Sequence, residues 1–331
     1  MNSRRQAPSP SRSGGPANLW PLLTLSVLLL VAPPILQAVS AFYVSLATEI
    51  LILALFASSL NLLTGYGGMV TFGHAAYFGI ASYALAVLVK HAGLPVLPAF
   101  LVSPFISLMA AAVFGYFCVR LTRVYFAMLT LAFAQIVYTI VFQWYALTGG
   151  DNGIPGVWSE GLIPSSVASP VGYYYFTLIV VAASLVSLHL IVSSPFGLIL
   201  KAVRENPQRT QFVGLNVRLH QHITFVLAGF YAGVAGALFT FLKGGAYPDF
   251  VFWTKSAEPL VVSILGGMSY FSGPIVGAAV FQVLHFIINR YTEYWPLVLG
   301  AILVLLVLAA PRGLVGLYDD WKQGRLRSQR V

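Results

Sequence analysis

Charge is what this sequence has least of. Only 8% of its 331 residues are Asp, Glu, Lys or Arg, against about 25% in an ordinary soluble domain, and that shortage excludes a water-solvated globular fold. Cysteine is nearly absent as well. The lone Cys118 forbids an intramolecular disulfide framework and any C-x-x-C metal or redox motif. Signatures of chemistry are missing too: there is no G-x-S-x-G nucleophile motif and no G-x-x-x-x-G-K-S/T phosphate loop. His189, His222 and His285 show no H-x-x-x-H spacing and have no acidic cluster beside them, which speaks against a metal site. What remains is apolar. Hydrophobic residues make up 58% of the chain and its mean hydropathy is +0.84, the composition of a membrane protein. The net charge of +9 lies in short runs between apolar segments, so it reads as membrane topology and not as a nucleic-acid surface.

Residues 1–18, with Arg4, Arg5 and Arg12 among Ser, Pro and Gly, read as a disordered basic cytoplasmic tail. An apolar run at 19–40 follows, and Ala38-Val39-Ser40 has the look of a signal-peptide cleavage site. The run is nevertheless ~20 residues, enough to span a ~30 Å hydrocarbon core, whereas signal cores run about 7–15 residues. It reads as an uncleaved first span, bent or ended by Pro33 and Pro34.

Further apolar segments lie at about 44–63, 73–90, 98–119, 124–146, 173–193 and 221–242, then two shorter ones at about 258–268 and 274–289, and a last at 296–310. Basic clusters at Arg4/Arg5/Arg12, Arg120/Arg123, Lys201/Arg204/Arg209/Arg218 and Lys322/Arg325/Arg327/Arg330 all fall inside if the stretch 258–289 leaves the outer surface and returns to it. Gly266-Gly267 and Ser272-Gly273-Pro274 supply the break. The expected fold is an all-α polytopic membrane protein with about nine or ten transmembrane segments, including a broken or re-entrant pair at about 258–289. Residues 19–317 form a single transmembrane domain, and 318–331 a basic cytoplasmic tail.

The loop 194–220 holds much of the scarce charge. Ser194-Pro195 and Asn206-Pro207 are N-cap and N1 pairs and Gly214 is a helix stop, which predicts two short helices joined at a bend. Leu198, Ile199, Ala202 and Val203 can share one face of the first, Lys201, Arg204, Glu205 and Gln208 another. Geometry alone leaves two uses open, a helix lying on anionic headgroups or one docking on a protein.

The run Gly197-x-x-x-Lys201-Ala202-Val203-Arg204-Glu205-Asn206, continuing to Gly214-Leu215-Asn216-Val217, resembles the cytoplasmic loop of branched-chain amino acid ABC transporter permeases of the LivM type. So do "NLLTGYGGMVTFGHAAYFGIASY" (61–83), "GGDNGIPGV" (149–157), "FVLAGFYAGVAGAL" (225–238) and "GGMSYFSGPIVGAA" (266–279), in the family's order and spacing over about 45–317. The resemblance implies a permease half in a bacterial inner membrane, both termini cytoplasmic. It pairs with a second, LivH-like permease, two cytoplasmic ABC ATPases and a periplasmic substrate-binding protein. The chain itself would be no enzyme and hold no cofactor; ATP and Mg would sit on the ATPases, in keeping with the missing phosphate loop. Residues Gly197, Lys201, Ala202, Arg204, Glu205, Asn206, Arg209 and Gly214 would form the coupling element that enters an ATPase groove. The implied cargo is a branched-chain or related hydrophobic amino acid, although related permeases serve urea, short amides and aromatic acids. Met69, Thr71, Phe72 and Ala81 depart from the family's usual residues, which bears on the cargo more than on the class.

Other candidates follow from residue type. Asn61, Gly65, Gly68, Gly73 and His74 read either as a loop dipping toward a translocation path or as a tight connection, with Gly266 and Gly267 as a second candidate part of that path. His74 is expected to be satisfied by a neighbouring backbone group rather than to carry protons. Asp151, Asn152 and Gly153 read as a binding-protein contact or gate, or as a structural turn. Glu49 is an intramembrane carboxylate near a span end. As the one acidic residue inside a span it offers little to an ion-coupled carrier working alone, and nothing supports a membrane-embedded enzyme. Gly229 and Gly233 form a GxxxG pair suited to close helix packing.

Overall fold

The computed structural model describes residues 40–157, 169–309 and 312–328. The expected tail 1–18 and most of the expected span 19–40 lie outside them.

Helix α1, Ala41–Asn61, starts where the Ser40 hydroxyl accepts the Phe42 N–H, and it ends in a π-helical turn, Leu62–Tyr66. There follow α2 (His74–Lys90), α3 (Val96–Cys118), α4 (Arg123–Gln143), α5 (Pro170–Ser193), the short pair α6 (Pro195–Glu205) and α7 (Pro207–Phe212), and α8 (Val217–Lys243). The chain closes with α9 (Ala257–Gly266), α10 (Gly273–Tyr291), α11 (Trp295–Ala309) and α12 (Gly313–Ser328). Extended structure among the described residues is confined to two-residue strands, β1 (Ile154–Pro155) and β2 (Gly245–Ala246), paired antiparallel. The helix bounds reproduce the apolar segments read from the sequence, and the basic stretch expected as a tail is helical as far as Ser328.

Six described helices are long and apolar enough to cross a membrane: 41–66, 96–118, 123–143, 170–193, 217–243 and 273–291. Helix α2 and the apolar part of α11 are shorter. The bundle is layered around α1 and α8, buried along 72% and 78% of their most apolar stretch, whereas α4 and α5 are buried along 28% and 22%. The outer helices instead present Leu101, Met109, Ile136, Ile179 and Leu190 on their surface, as helices facing acyl chains do.

Close approach at the centre comes from small residues. A Cβ on Gly229 would collide with that of Ala111, one on Gly233 would lie 2.8 Å from the Ser107 Cβ, and one on Gly236 would collide with the Phe78 carbonyl. The GxxxG reading is thus a packing seam between α8 and helices α2 and α3. Ser107 Oγ donates to the carbonyls of Tyr77 (2.8 Å) and Gly229 (3.0 Å), and Ser82 Oγ to those of Phe78 (2.9 Å) and Gly236 (3.0 Å), tying the three helices together.

Two ends of the bundle can be told apart. One gathers Lys90, Lys243, the 149–157 turn and the start of α1; the other gathers Arg204, Gly65, Gly68 and Arg120. From the Lys243 end the chain descends irregularly through 245–256, and Ser256 Oγ accepts the Ala75 N–H at 2.9 Å in the first turn of α2. Helix α9, only ten residues and ~15 Å long, then runs beside the second half of α1: Ser263 Oγ donates to the Ala57 carbonyl at 3.3 Å. Gly266 and Gly267 make the predicted break, and α10 returns. A Cβ on Gly266 would strike the Gly273 carbonyl, and one on Gly277 the Val262 carbonyl, so the two helices cross at backbone contact.

Candidate functional site

Helix α6 begins with Pro195 at its first position after an extended Ser194, whose hydroxyl donates back to the Ile191 carbonyl at 2.7 Å and makes no cap. Helix α7 has a true cap: Asn206 Oδ1 accepts the Arg209 N–H at 3.0 Å. It ends toward Gly214, whose φ of 89° is open to glycine without strain. Two short helices with a bend at 206 are what the sequence predicts.

The apolar face of α6 differs from the expected one. Gly197, Leu200 and Val203 are buried, while Leu198 is 70% exposed and Ala202 is exposed. The reason is Gly197: its Cα is pressed against the Val192 backbone at the end of α5, and that contact fixes the helix's rotation. Leu198 therefore faces outward beside exposed Lys201 and Glu205, and at the end of α7 Phe212 (90% exposed) and Val213 (80%) are exposed as well, as is Arg209. Apolar anchors within a charged rim make a surface suited to another protein.

Two groups of residues read separately from the sequence meet here. Arg204 Nη1 donates to the carbonyl of Gly65 in the π turn, and its stem lies along Gly68, where a Cβ would come within 2.9 Å of the Arg204 Cγ. Lys201 Nζ stands 5.6 Å from the centre of the Tyr66 ring. On the other side of Gly65 an added Cβ would come within 2.6 Å of the Met268 carbonyl, and one on Gly267 (φ 112°) within 2.5 Å of the Arg312 carbonyl. Helix α6, the end of α1 and the break between α9 and α10 thus form one contiguous set of contacts. Beside them opens a groove of about 650 Å³, bordered by the 67–72 loop and by Arg120, Arg123, Arg204 and Arg218.

Other candidates separate from this set. His74 is fully buried, stacked on Phe56 with ring centres 5.4 Å apart, and its Nε2 is 2.8 Å from Ser59 Oγ. It is satisfied on that side by a hydroxyl rather than by backbone. Gly73 lets α2 start against the Thr130 carbonyl of α4, and Asn61 is buried under Gly65. Asp151, Asn152 and Gly153 belong to a built turn: Tyr145 Oη donates to Asp151 Oδ1 (2.7 Å), Asn152 Nδ2 donates to Tyr145 Oη (3.0 Å), and Gly153 sits at φ 67° against Ala246. The hydrogen bond to Asp151 holds the Tyr145 phenol above its ordinary range. Among the described residues no three His, Cys, Asp or Glu side chains gather as a metal site requires.

Sequence reasoning missed one feature altogether. Glu49 Oε1 pairs with Lys243 Nζ at 3.2 Å, and Lys255 Nζ with Glu258 Oε2 at 2.7 Å, both beside cavities that share Glu49 and Gln282. The signal available was topological, since spans that alternate from an inside N-terminus put Glu49 and Lys243 at the same end.

Residues 42–307 match the family described as branched-chain amino acid transport system, permease component. The chain is 29% identical over 319 residues to the high-affinity branched-chain amino acid transport system permease protein LivM of Escherichia coli (strain K12), covering 88% of this chain and 74% of the relative. Its counterpart in Salmonella typhimurium is 27% identical with the same coverage. The LivH permease of the same Escherichia coli strain is 25% identical over 287 residues, covering 80% of this chain and 91% of the relative. No solved structure matches the chain.

Proposed function

The chain belongs to the family of branched-chain amino acid transport permease components, and from that premise we propose that it is the membrane-spanning subunit of an ATP-driven importer of branched-chain or related hydrophobic amino acids. It works beside a LivH-like second permease, with two ATPases on the cytoplasmic face and a substrate-binding protein outside, in a bacterial inner membrane. The Arg204 end is the cytoplasmic one in this reading, because Arg120, Arg123, Lys201, Arg204, Arg209, Arg218 and Arg312 crowd there. The six long helices, α2, the descent through 245–266 and α11 then make nine crossings, and the apolar run 19–40 read from the sequence would bring both termini to the cytoplasmic side.

Mechanism follows from the contacts. An ATPase that grips the outward face of α6 and α7 pulls on Arg204, which holds the end of α1 by the Gly65 carbonyl. Gly65 is packed on Met268, so displacement of α6 reaches the break between α9 and α10 without slack. Alternating access is the relative movement of these helices against the partner permease.

The observation that carries the reading is the outward-facing Leu198 and Phe212 on helices tied into the bundle by Arg204. Both side chains are largely exposed, so the double variant L198D/F212D should insert in the membrane as the parent does and lose co-purification with the ATPases. Undiminished assembly and uptake would show instead that these helices merely rest on lipid.

A further inference from the structure

Two cavities that share Glu49 and Gln282 in their walls, one at the Lys243 end and one deeper beside α1, are lined by charge that the coupling machinery does not use. The larger holds about 300 Å³; its polar side is Glu49, Lys243, Gln282 and His285, and Phe42, Leu242 and Phe286 form an apolar side. The smaller, about 20 Å³, lies on the far side of Glu49 and Gln282 and contains the Lys255–Glu258 pair. Glu49 is the ninth residue of α1, ~12 Å along the helix from its first residue, and Lys243 is the last residue of α8, so the first pair lies near the end of two apolar helices. Both pairs are partly open: side-chain exposures are 25% for Glu49 and 41% for Lys243, 32% for Glu258 and 18% for Lys255.

Buried or half-buried ion pairs add little to stability, since desolvation offsets their attraction. A chain with only nine acidic residues nevertheless sets two of them opposite lysines at the wall of a cavity. We propose that the larger cavity is a docking site for the zwitterionic head of a free amino acid, with its ammonium group received by Glu49, its carboxylate by Lys243, and its side chain against Phe42, Leu242 and Phe286. The exchange is balanced. Each ligand charge replaces the partner it displaces, so no charge is left uncompensated at membrane depth, whereas a simple anion or cation would orphan either Glu49 or Lys243. The smaller cavity has room for about one water and not for an amino acid. The ligand therefore halts at Gln282 until α1 and α10 part, and the Lys255–Glu258 pair is the next rung of the same kind beyond it.

This inference rests on the reading of the chain as an amino-acid permease, and the two can fail separately. Leucine uptake by proteoliposomes carrying the whole wild-type transporter tests that reading; absence of uptake overturns it. The site is tested on the purified transporter without binding protein, by thermal shift with millimolar leucine, 4-methylpentanoate or isopentylamine. Leucine should raise the melting temperature, neither half-molecule should, and E49Q or K243Q should raise the leucine concentration for half-maximal shift at least tenfold. A shift from either half-molecule equal to that from leucine, or one that E49Q and K243Q leave unchanged, overturns the site whatever uptake shows. The double variant E49K/K243E keeps an ion pair and should recover the unliganded melting temperature but not leucine uptake. Recovery of uptake would mean that the polarity of the pair is irrelevant, and would equally overturn the proposal.

Discussion

Arg204 donates a hydrogen bond to the backbone carbonyl of Gly65, 139 residues earlier in the chain. The acceptor lies in the last turn of α1, where helix carbonyls lack intrahelical partners and the helix dipole presents its negative end. A guanidinium fits that position on both counts. The turn is π-helical, and such turns recur where a helix has been locally widened for use.

Arg204→Ala removes this link without touching the outward face of α6. The ATPases should remain bound, while the docking of α6 on α1 loses about 1.5–3 kcal/mol. Leucine transported per ATP hydrolysed should fall at least tenfold in proteoliposomes, and an unchanged ratio would sink the role assigned to the arginine.

Glycines in different parts of the bundle differ sharply in what surrounds them. Gly65→Ala would set a Cβ 2.6 Å from the Met268 carbonyl, and Gly266→Ala would drive one into the Gly273 backbone, whereas among the described residues nothing lies within 4 Å of a Cβ on Gly300 in α11. Each of the first two should cost about 1–3 kcal/mol. Gly300→Ala should be neutral or stabilise by up to ~1 kcal/mol. Melting temperatures of the three variants in detergent give the ranking, and equal values would contradict the close packing described.

Tyr145 supplies a test by pH. Its phenol donates to Asp151, so the folded state favours the protonated form and the midpoint lies above the ordinary value of about 10. The contribution of this bond is therefore complete below pH 10 and disappears as pH rises through the raised midpoint. Phenolate absorbance of the wild type minus that of Y145F should show that midpoint above 10; a midpoint at or below 10 would remove the basis for a clamped turn.

Much of the fold could be read in advance because lipid imposes long apolar segments and because Pro and Gly punctuate them. Asn206-Pro207 announces α7, and Gly266-Gly267 the break. The rotation of α6 could not be read, because periodicity offers several faces and the choice is made by the fit of Gly197 on Val192. Nor could the meeting of Arg204 with Gly65 or of Glu49 with Lys243, which depends on how distant helices pack. The descent through 245–256 left no periodic trace, since it is made of single 3-10 turns around Pro248 and Trp253. Its consequence, that α9 begins deep beside α1, went unread with it.

That descent also sets an order on how the protein can be made. The Ala75 amide in the first turn of α2 waits for the Ser256 hydroxyl, 181 residues later, which at ~5–20 residues per second is on the order of 10–40 s of translation. Until then α2 lacks its native partner at the Ala75 amide, and the ten residues of α9 are too few to span the bilayer by themselves. The first turn of α2 therefore acquires its native partner late in synthesis, after the chain has passed residue 256.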